Sequence, residues 1–118
     1  MDREFLKDQI VKRLEEKKAS DIEVIDLAKK SGLADFFIVA SGSSRIQVKS
    51  LADDVQEMCR KELDLEAKKV SGYENSRWIL LDYGHVVVHI FHPEERQHYK
   101  LEQLWLEKAE SEFIDPEL

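Results

Sequence analysis

Residues 76–91, SRWILLDYGHVVVHIF, decide the fold. Two apolar runs, 76–82 and 85–91, flank Tyr83 and Gly84. Each is short, bounded by turn residues and rich in aromatic or β-branched side chains, so they read as two strands joined by a tight hairpin. A two-residue loop of Tyr83 and Gly84 would set Asp82 against His85, Leu80 against Val87 and Trp78 against His89. Strand alternation then places Trp78, Leu80 and Asp82 on one face with His85, Val87, His89 and Phe91. Ile79, Leu81, Val86, Val88 and Ile90 occupy the other face, which is wholly apolar and belongs to the core against helices. The Trp78 face mixes aromatic and polar groups; it is either partly covered by a C-terminal helix or presented to a partner.

Upstream, Phe5, Leu6, Ile10 and Leu14 recur at helical spacing, and Asp2 can cap, so residues 2–18 form an amphipathic helix. IEVIDL at 22–27 is a short strand, and a turn around Ser31 and Gly32 leads into DFFIVAS at 35–41, a continuous apolar run expected in the interior of a sheet. Val48, Leu51, Val55, Met58 and Leu63 continue with a helical period, and Ser44 followed by Gln47 fits a capping box that starts this helix. EAKKV at 66–70 is the remaining strand. Pro93 ends the last strand, and from Glu94 a helix carries Leu101, Leu104 and Trp105 on one side. The order αββαβββα predicts an α/β (α+β) domain with a mixed five-stranded sheet flanked by helices. A chain of 118 residues with 42% hydrophobic content holds one domain: an N-terminal helix (1–19), a core (20–106) and a tail (107–118).

The net charge of −7, from 25 acids against 18 bases, makes the chain a poor binder of bare phosphate backbone and favours a basic protein surface as partner. No direct sequence-specific nucleic-acid binding is expected. The N-terminus is charged throughout, which excludes a signal peptide or membrane span there, and the lone Cys59 lies in a helical pattern as a core thiol. These features point to a cytoplasmic protein with no membrane contact.

All four histidines, His85, His89, His92 and His98, fall within residues 85–98. On a strand, His85 and His89 stand roughly 13 Å apart, too far for two ligands of one ion without others between them. No metal and no cofactor is expected. Asp82 opposite His85 could orient an imidazole, yet no serine or cysteine sits at a strained turn to act as nucleophile, so no catalytic residue is assigned. The turn Gly42, Ser43, Ser44 and Arg45 is a candidate anion-binding site, since it leads from a strand into a helix N-terminus. It makes a nucleotide-binding or nucleotidyltransferase-like enzyme the alternative reading. Against that alternative, Asp53 and Asp54 are consecutive on a helix and Asp82 has no acid two residues away, so the paired carboxylates that hold magnesium are missing.

DIEVIDLAKKSGLADFFIVASGSSRIQVKSLAD and SRWILLDYGHVVVHIFHPEERQHYKLEQLW together resemble the ribosomal silencing factor (Iojap) family over about residues 20–106. The family-like positions are Asp35, Phe37, Gly42, Ser44, Arg45, Trp78, Asp82, Gly84, Val88, His89, Phe91, Arg96, Tyr99, Leu101, Glu102 and Trp105. The resemblance implies a nucleotidyltransferase-like fold without the transferase active site, hence not an enzyme. It implies a repressor that docks on the large ribosomal subunit through ribosomal protein number fourteen. By blocking subunit association it would damp translation in starvation or stationary phase. Family members are often homodimers, so a homodimer is a candidate state here. Partner-binding residues expected on this basis are Trp78, Asp82, Tyr83, His89, Phe91, Arg96, Tyr99 and Glu102. Trp105 has both a core and a contact reading, His89 likewise, and Arg96 and Glu102 could simply pair as ions.

Overall fold

The structure, a computed structural model, describes residues 2–27 and 34–98, with the side chains of residues 96–98 excepted. Eight elements follow in order: α1 (Arg3–Glu16), β1 (Ser20–Asp26), β2 (Phe36–Ser41), α2 (Arg45–Leu63), β3 (Lys69–Ser71), β4 (Trp78–Asp82), β5 (Val86–Phe91) and α3 (Pro93–His98). The expected αββαβββα order is the observed one. The five strands form one mixed sheet in the order β1-β2-β5-β4-β3. β2 and β5 are parallel, while the other neighbouring pairs are antiparallel.

Burial on both faces explains why the interior strands are FFIVAS and VVVHIF: every residue of β2 and β5 is buried. β5 occupies the middle of the sheet, and β2, expected in the interior, is its neighbour. β1 at the edge is exposed or half-buried throughout, and its register shifts between Ser20 and Glu23. The irregularity blunts an edge that would otherwise template further pairing.

Both long helices cover one face of the sheet. Leu6, Ile10 and Leu14 of α1 and Val48, Leu51, Ala52, Val55, Met58 and Cys59 of α2 are buried against Phe36, Ile38, Ala40, Ile79, Leu81, Val86, Val88 and Ile90. Phe5, included in the apolar period of the first helix, instead remains 47% exposed. α1 starts where expected, with the Asp2 carboxylate accepting from the Glu4 N–H at 3.3 Å. It stops early because Lys18 turns left-handed (φ 66°) and the Ala19 and Lys18 N–H groups close back on the Leu14 and Glu15 carbonyls. This is a Schellman ending with lysine where glycine is usual.

β3 is shorter and later than the expected 66–70. α2 runs to Leu63, and Asp64, in the left-handed region (φ 54°), reverses the chain. Residues 64–68 are spent crossing from the helix layer back to the sheet, so strand pairing begins only at Lys69. Between β3 and β4, Gly72 (φ 76°) passes so close to the Trp78 carbonyl that a Cβ would lie 2.1 Å from its oxygen. The turn that delivers Trp78 into the sheet therefore requires glycine.

The β4–β5 hairpin is formed, but its register is two residues away from the expected one. Trp78 faces Phe91, Leu80 faces His89 and Asp82 faces Val87. The tight loop is Gly84–His85, closed by the Tyr83 N–H donating to the Val86 carbonyl at 2.9 Å, with Gly84 at φ 90°. A shift of two keeps every side chain on its expected face, because strand periodicity is two. It changes the neighbours: Asp82 does not face His85.

Candidate docking face around Trp78

The sheet face away from α1 and α2 is built in rows. One runs Val39, His89, Leu80; a second runs Phe37, Val87, Asp82; a third runs Ser41, Phe91, Trp78. Ile25 of β1 extends the second row beside Phe37. Leu27, Ala34, Phe37, Val39, Val87 and Phe91 are the buried part of this cluster, and Ile25, Trp78 and Leu80 are half-buried. The half-buried apolar side chains therefore lie at two places, Ile25 on β1 and Trp78 with Leu80 on β4, separated by the buried residues of β2 and β5, and half-buried Asp82 stands at the end of β4.

Aromatic packing fixes the centre. Phe91 lies 4.9 Å from Trp78 between ring centroids, and Phe37 meets the His89 ring edge-on at 4.7 Å. The Trp78 indole N–H donates to His89 Nδ1 at 3.2 Å. An indole can only donate, so Nδ1 carries the lone pair and the neutral ring has its proton on Nε2. His89 is fully buried, and burial lowers its pKa to about 3.

The expected partner-binding residues separate under this geometry. Trp78 and Asp82 are half-buried on the face, whereas His89 and Phe91 lie on it but beneath the surface, with no accessible area. The expectation of a surface carrying His89 and Phe91 is corrected: their β4 neighbours Leu80 and Trp78 reach the surface and they do not. Tyr83 is also corrected: it is 5% exposed and packs in the cluster beneath α1 and α2. Odd–even alternation already sends Tyr83 to the face opposite Asp82. Its phenol lies beside the Cys59 thiol, and burial pushes both groups up. For Cys59, burial works against the thiolate, the form in which a cysteine attacks. Arg96 falls within α3 with its side chain outside the described residues, and Tyr99, Glu102 and Trp105 lie outside them altogether. Leu80 is on the face where strand alternation puts it, and Ile25 joins that face only through the pairing of β1 with β2.

His85 and Asp82 do not form a dyad. The Asp82 carboxylate accepts from the Gly84 N–H at 2.7 Å and stabilises the turn. His85 instead lies 2.8 Å from Asp35, which Arg3 also approaches at 3.3 Å, joining the start of β2, the β4–β5 turn and the start of α1. His92 accepts from the Glu94 N–H at 3.2 Å as the cap of α3. Among the described residues no three His, Cys, Asp or Glu side chains converge as metal ligands.

The Gly42–Arg45 turn is internally engaged. Gly42 donates its N–H to the Phe91 carbonyl at 2.9 Å, Ser43 donates to the Gln47 side chain, and Ser44 Oγ accepts from the Gln47 N–H at 3.1 Å. This reciprocal Ser–Gln cap is the expected capping box, with the return bond falling on Ser43. Arg45 donates to Asn75 at 3.3 Å. The turn thus spends the Gly42, Ser43 and Gln47 N–H groups and an Arg45 guanidinium N–H on the fold. An open groove of about 550 Å³ lies elsewhere, lined by Asp53, Gln56, Glu57, Arg60, Val70 and Tyr73. There Asp53 accepts from the Tyr73 hydroxyl at 2.8 Å and Glu57 pairs with Lys61 at 2.9 Å.

The chain is similar to known proteins along most of its length. Residues 2–117 match the family described as ribosomal silencing factor during starvation. A ribosomal silencing factor of Halalkalibacterium halodurans is 39% identical over 95 residues, covering 80% of each chain. A mouse protein named mitochondrial assembly of ribosomal large subunit protein 1 is 30% identical over 103 residues, 83% of this chain and 44% of its own. A crystal structure from Chromobacterium violaceum superimposes with a TM-score of 0.83 at 37% identity, covering 89% of this chain and 87% of that one. The names of these two relatives speak of silencing and of assembly of ribosomes rather than of a catalysed reaction. The α+β sheet and the match from end to end place the chain in the ribosomal silencing factor family.

Proposed function

We propose that this protein docks on the large ribosomal subunit through ribosomal protein number fourteen and sterically blocks joining of the small subunit, damping translation when nutrients are scarce. The carrying observation is a half-buried apolar pair on β4, Trp78 and Leu80, with Asp82 beside it, on the sheet face that neither long helix covers. Such a pair, with an aromatic anchor and a charge at its rim, has the anatomy of a docking surface. The net charge of −7 opposes general association with a phosphate-coated particle, so affinity must come from a basic protein patch, where Asp82 can pair with lysine or arginine. Steric blocking requires affinity at the right place and no reacting group, in keeping with the engaged Gly42–Arg45 turn. The cytoplasm is the proposed location, and a homodimer using the same apolar pair would compete with docking.

Sedimentation of the full chain with purified large subunits tests this reading. Co-sedimentation with a dose-dependent fall in the joined-subunit peak is expected. Absence of co-sedimentation, or co-sedimentation that leaves joining unchanged, rejects it.

A further inference from the structure

We propose that His89 is a positioning residue for docking: its Nδ1 lone pair holds the Trp78 indole in the orientation that the large subunit meets. This rests on the docking reading above and adds to it the group that presets the anchor.

Geometry makes the case. Trp78 and His89 are diagonal neighbours on β4 and β5, since Trp78 faces Phe91 and Leu80 faces His89. The indole reaches across that diagonal to donate to Nδ1 at 3.2 Å, with ring centroids 6.1 Å apart. His89 is itself held by Phe37 edge-on at 4.7 Å and lies nearly parallel to Phe91, at 10° between ring planes. Trp78 is thus fixed by ring contact with Phe91 and by a hydrogen bond to an imidazole that other rings immobilise.

Residue chemistry points the same way. His89 stands in a row between Val39 and Leu80 and has no accessible surface, a position where leucine or isoleucine would pack at no polar cost. What an imidazole adds there is an acceptor aimed at the indole. A half-buried tryptophan without that bond would sample several side-chain angles, and ordering it on binding would weaken affinity.

Three full-length variants and one measurement on the unaltered protein provide the test. His89→Asn keeps an acceptor near the Nδ1 position, His89→Leu keeps the volume without one, and Trp78→Ala removes the anchor. Folding is checked by circular dichroism, the Trp78 indole N–H by its proton–nitrogen resonance and exchange rate, and affinity by titration with purified large subunits. The expected result is a folded His89→Leu with a faster-exchanging indole and about tenfold weaker binding, and a His89→Asn close to the unaltered protein in both. His89→Leu binding normally while Trp78→Ala does not would overturn the positioning role and spare the docking reading. Normal binding by Trp78→Ala would overturn the positioning role and move the docking contact off Trp78. Should His89→Leu not fold, the imidazole nitrogen shifts of the unaltered protein decide: the Nε2–H form is expected, and the Nδ1–H form overturns the proposal.

Discussion

Trp78 and Phe91 face each other across β4 and β5, with ring centroids 4.9 Å apart and planes tilted by 35°. Phe91 has no accessible surface, while Trp78 is half-buried, so the indole serves the fold on its inner side and reaches solvent on its outer side. Trp78→Ala is expected to weaken large-subunit binding by roughly 2 kcal/mol or more. It should also lower stability, by about 2 kcal/mol, because part of the ring is core. Trp78→Phe keeps most of the packing and separates the two effects. Affinity titration beside urea unfolding checks this. A folded Trp78→Ala that binds normally would put the contact elsewhere.

Tyr83 offers the opposite case, a residue expected at the partner surface and found beneath the helices. Its hydroxyl has no nitrogen or oxygen partner among the described residues, and its neighbour is the Cys59 thiol, a weak hydrogen-bonding group. Deleting the hydroxyl exchanges a weak contact with sulfur for relief of a desolvation cost, so Tyr83→Phe should change stability by no more than about 1 kcal/mol. Large-subunit affinity should not change. Loss of affinity with normal stability would return Tyr83 to the surface.

Periodicity and local caps fix much of this fold. Ser44 and Gln47 announce the start of α2, and the run from Val86 to Phe91 can hardly be anything but a buried strand. Facing sets survived a wrong register because a two-residue shift moves no side chain through the sheet. The loop itself was misplaced: Tyr83 followed by glycine looks like a two-residue turn, yet Tyr83 is held by the Val86 carbonyl and by burial, which moves the turn to Gly84–His85. Partners distant in sequence were invisible. Nothing local to His85 names Asp35, fifty residues away, and nothing in β4 names Ile25 as a member of the same face. The candidate face is legible in the sequence as a face but not as depth: alternation gives the side of the sheet on which His89 and Phe91 lie, and only packing shows that they are buried.

Ser44 separates the structural from the ligand reading of the Gly42–Arg45 turn. Its hydroxyl caps α2 by accepting from Gln47 N–H at 3.1 Å. Ser44→Ala should cost about 1 kcal/mol of stability, typical of a lost cap, and Ser44→Gly less. Neither should alter large-subunit binding. Calorimetry with ATP and magnesium should record no binding heat, and micromolar binding abolished by Arg45→Ala would revive the nucleotide reading.

His89 also predicts a pH dependence. Burial holds its folded-state pKa at about 3, below the ordinary 6.5, because the cation is disfavoured there. Above pH 6.5 the imidazole is neutral whether the chain is folded or not, and its contribution is fully present. As pH falls below 6.5, the unfolded chain takes up a proton that the folded chain refuses. Stability then drops by about 1.4 kcal/mol per pH unit until the folded value near 3 is reached. Carboxylates titrate over part of the same range, so the comparison is made against His89→Asn, which shares them and lacks the imidazole. Between pH 7.5 and 5.0 the unaltered protein should lose about 2 kcal/mol more than the variant. Urea unfolding of both proteins at the two pH values measures it. Equal losses would mean that His89 accepts its proton in the folded state, and with it that the imidazole beneath Trp78 is not the neutral acceptor described.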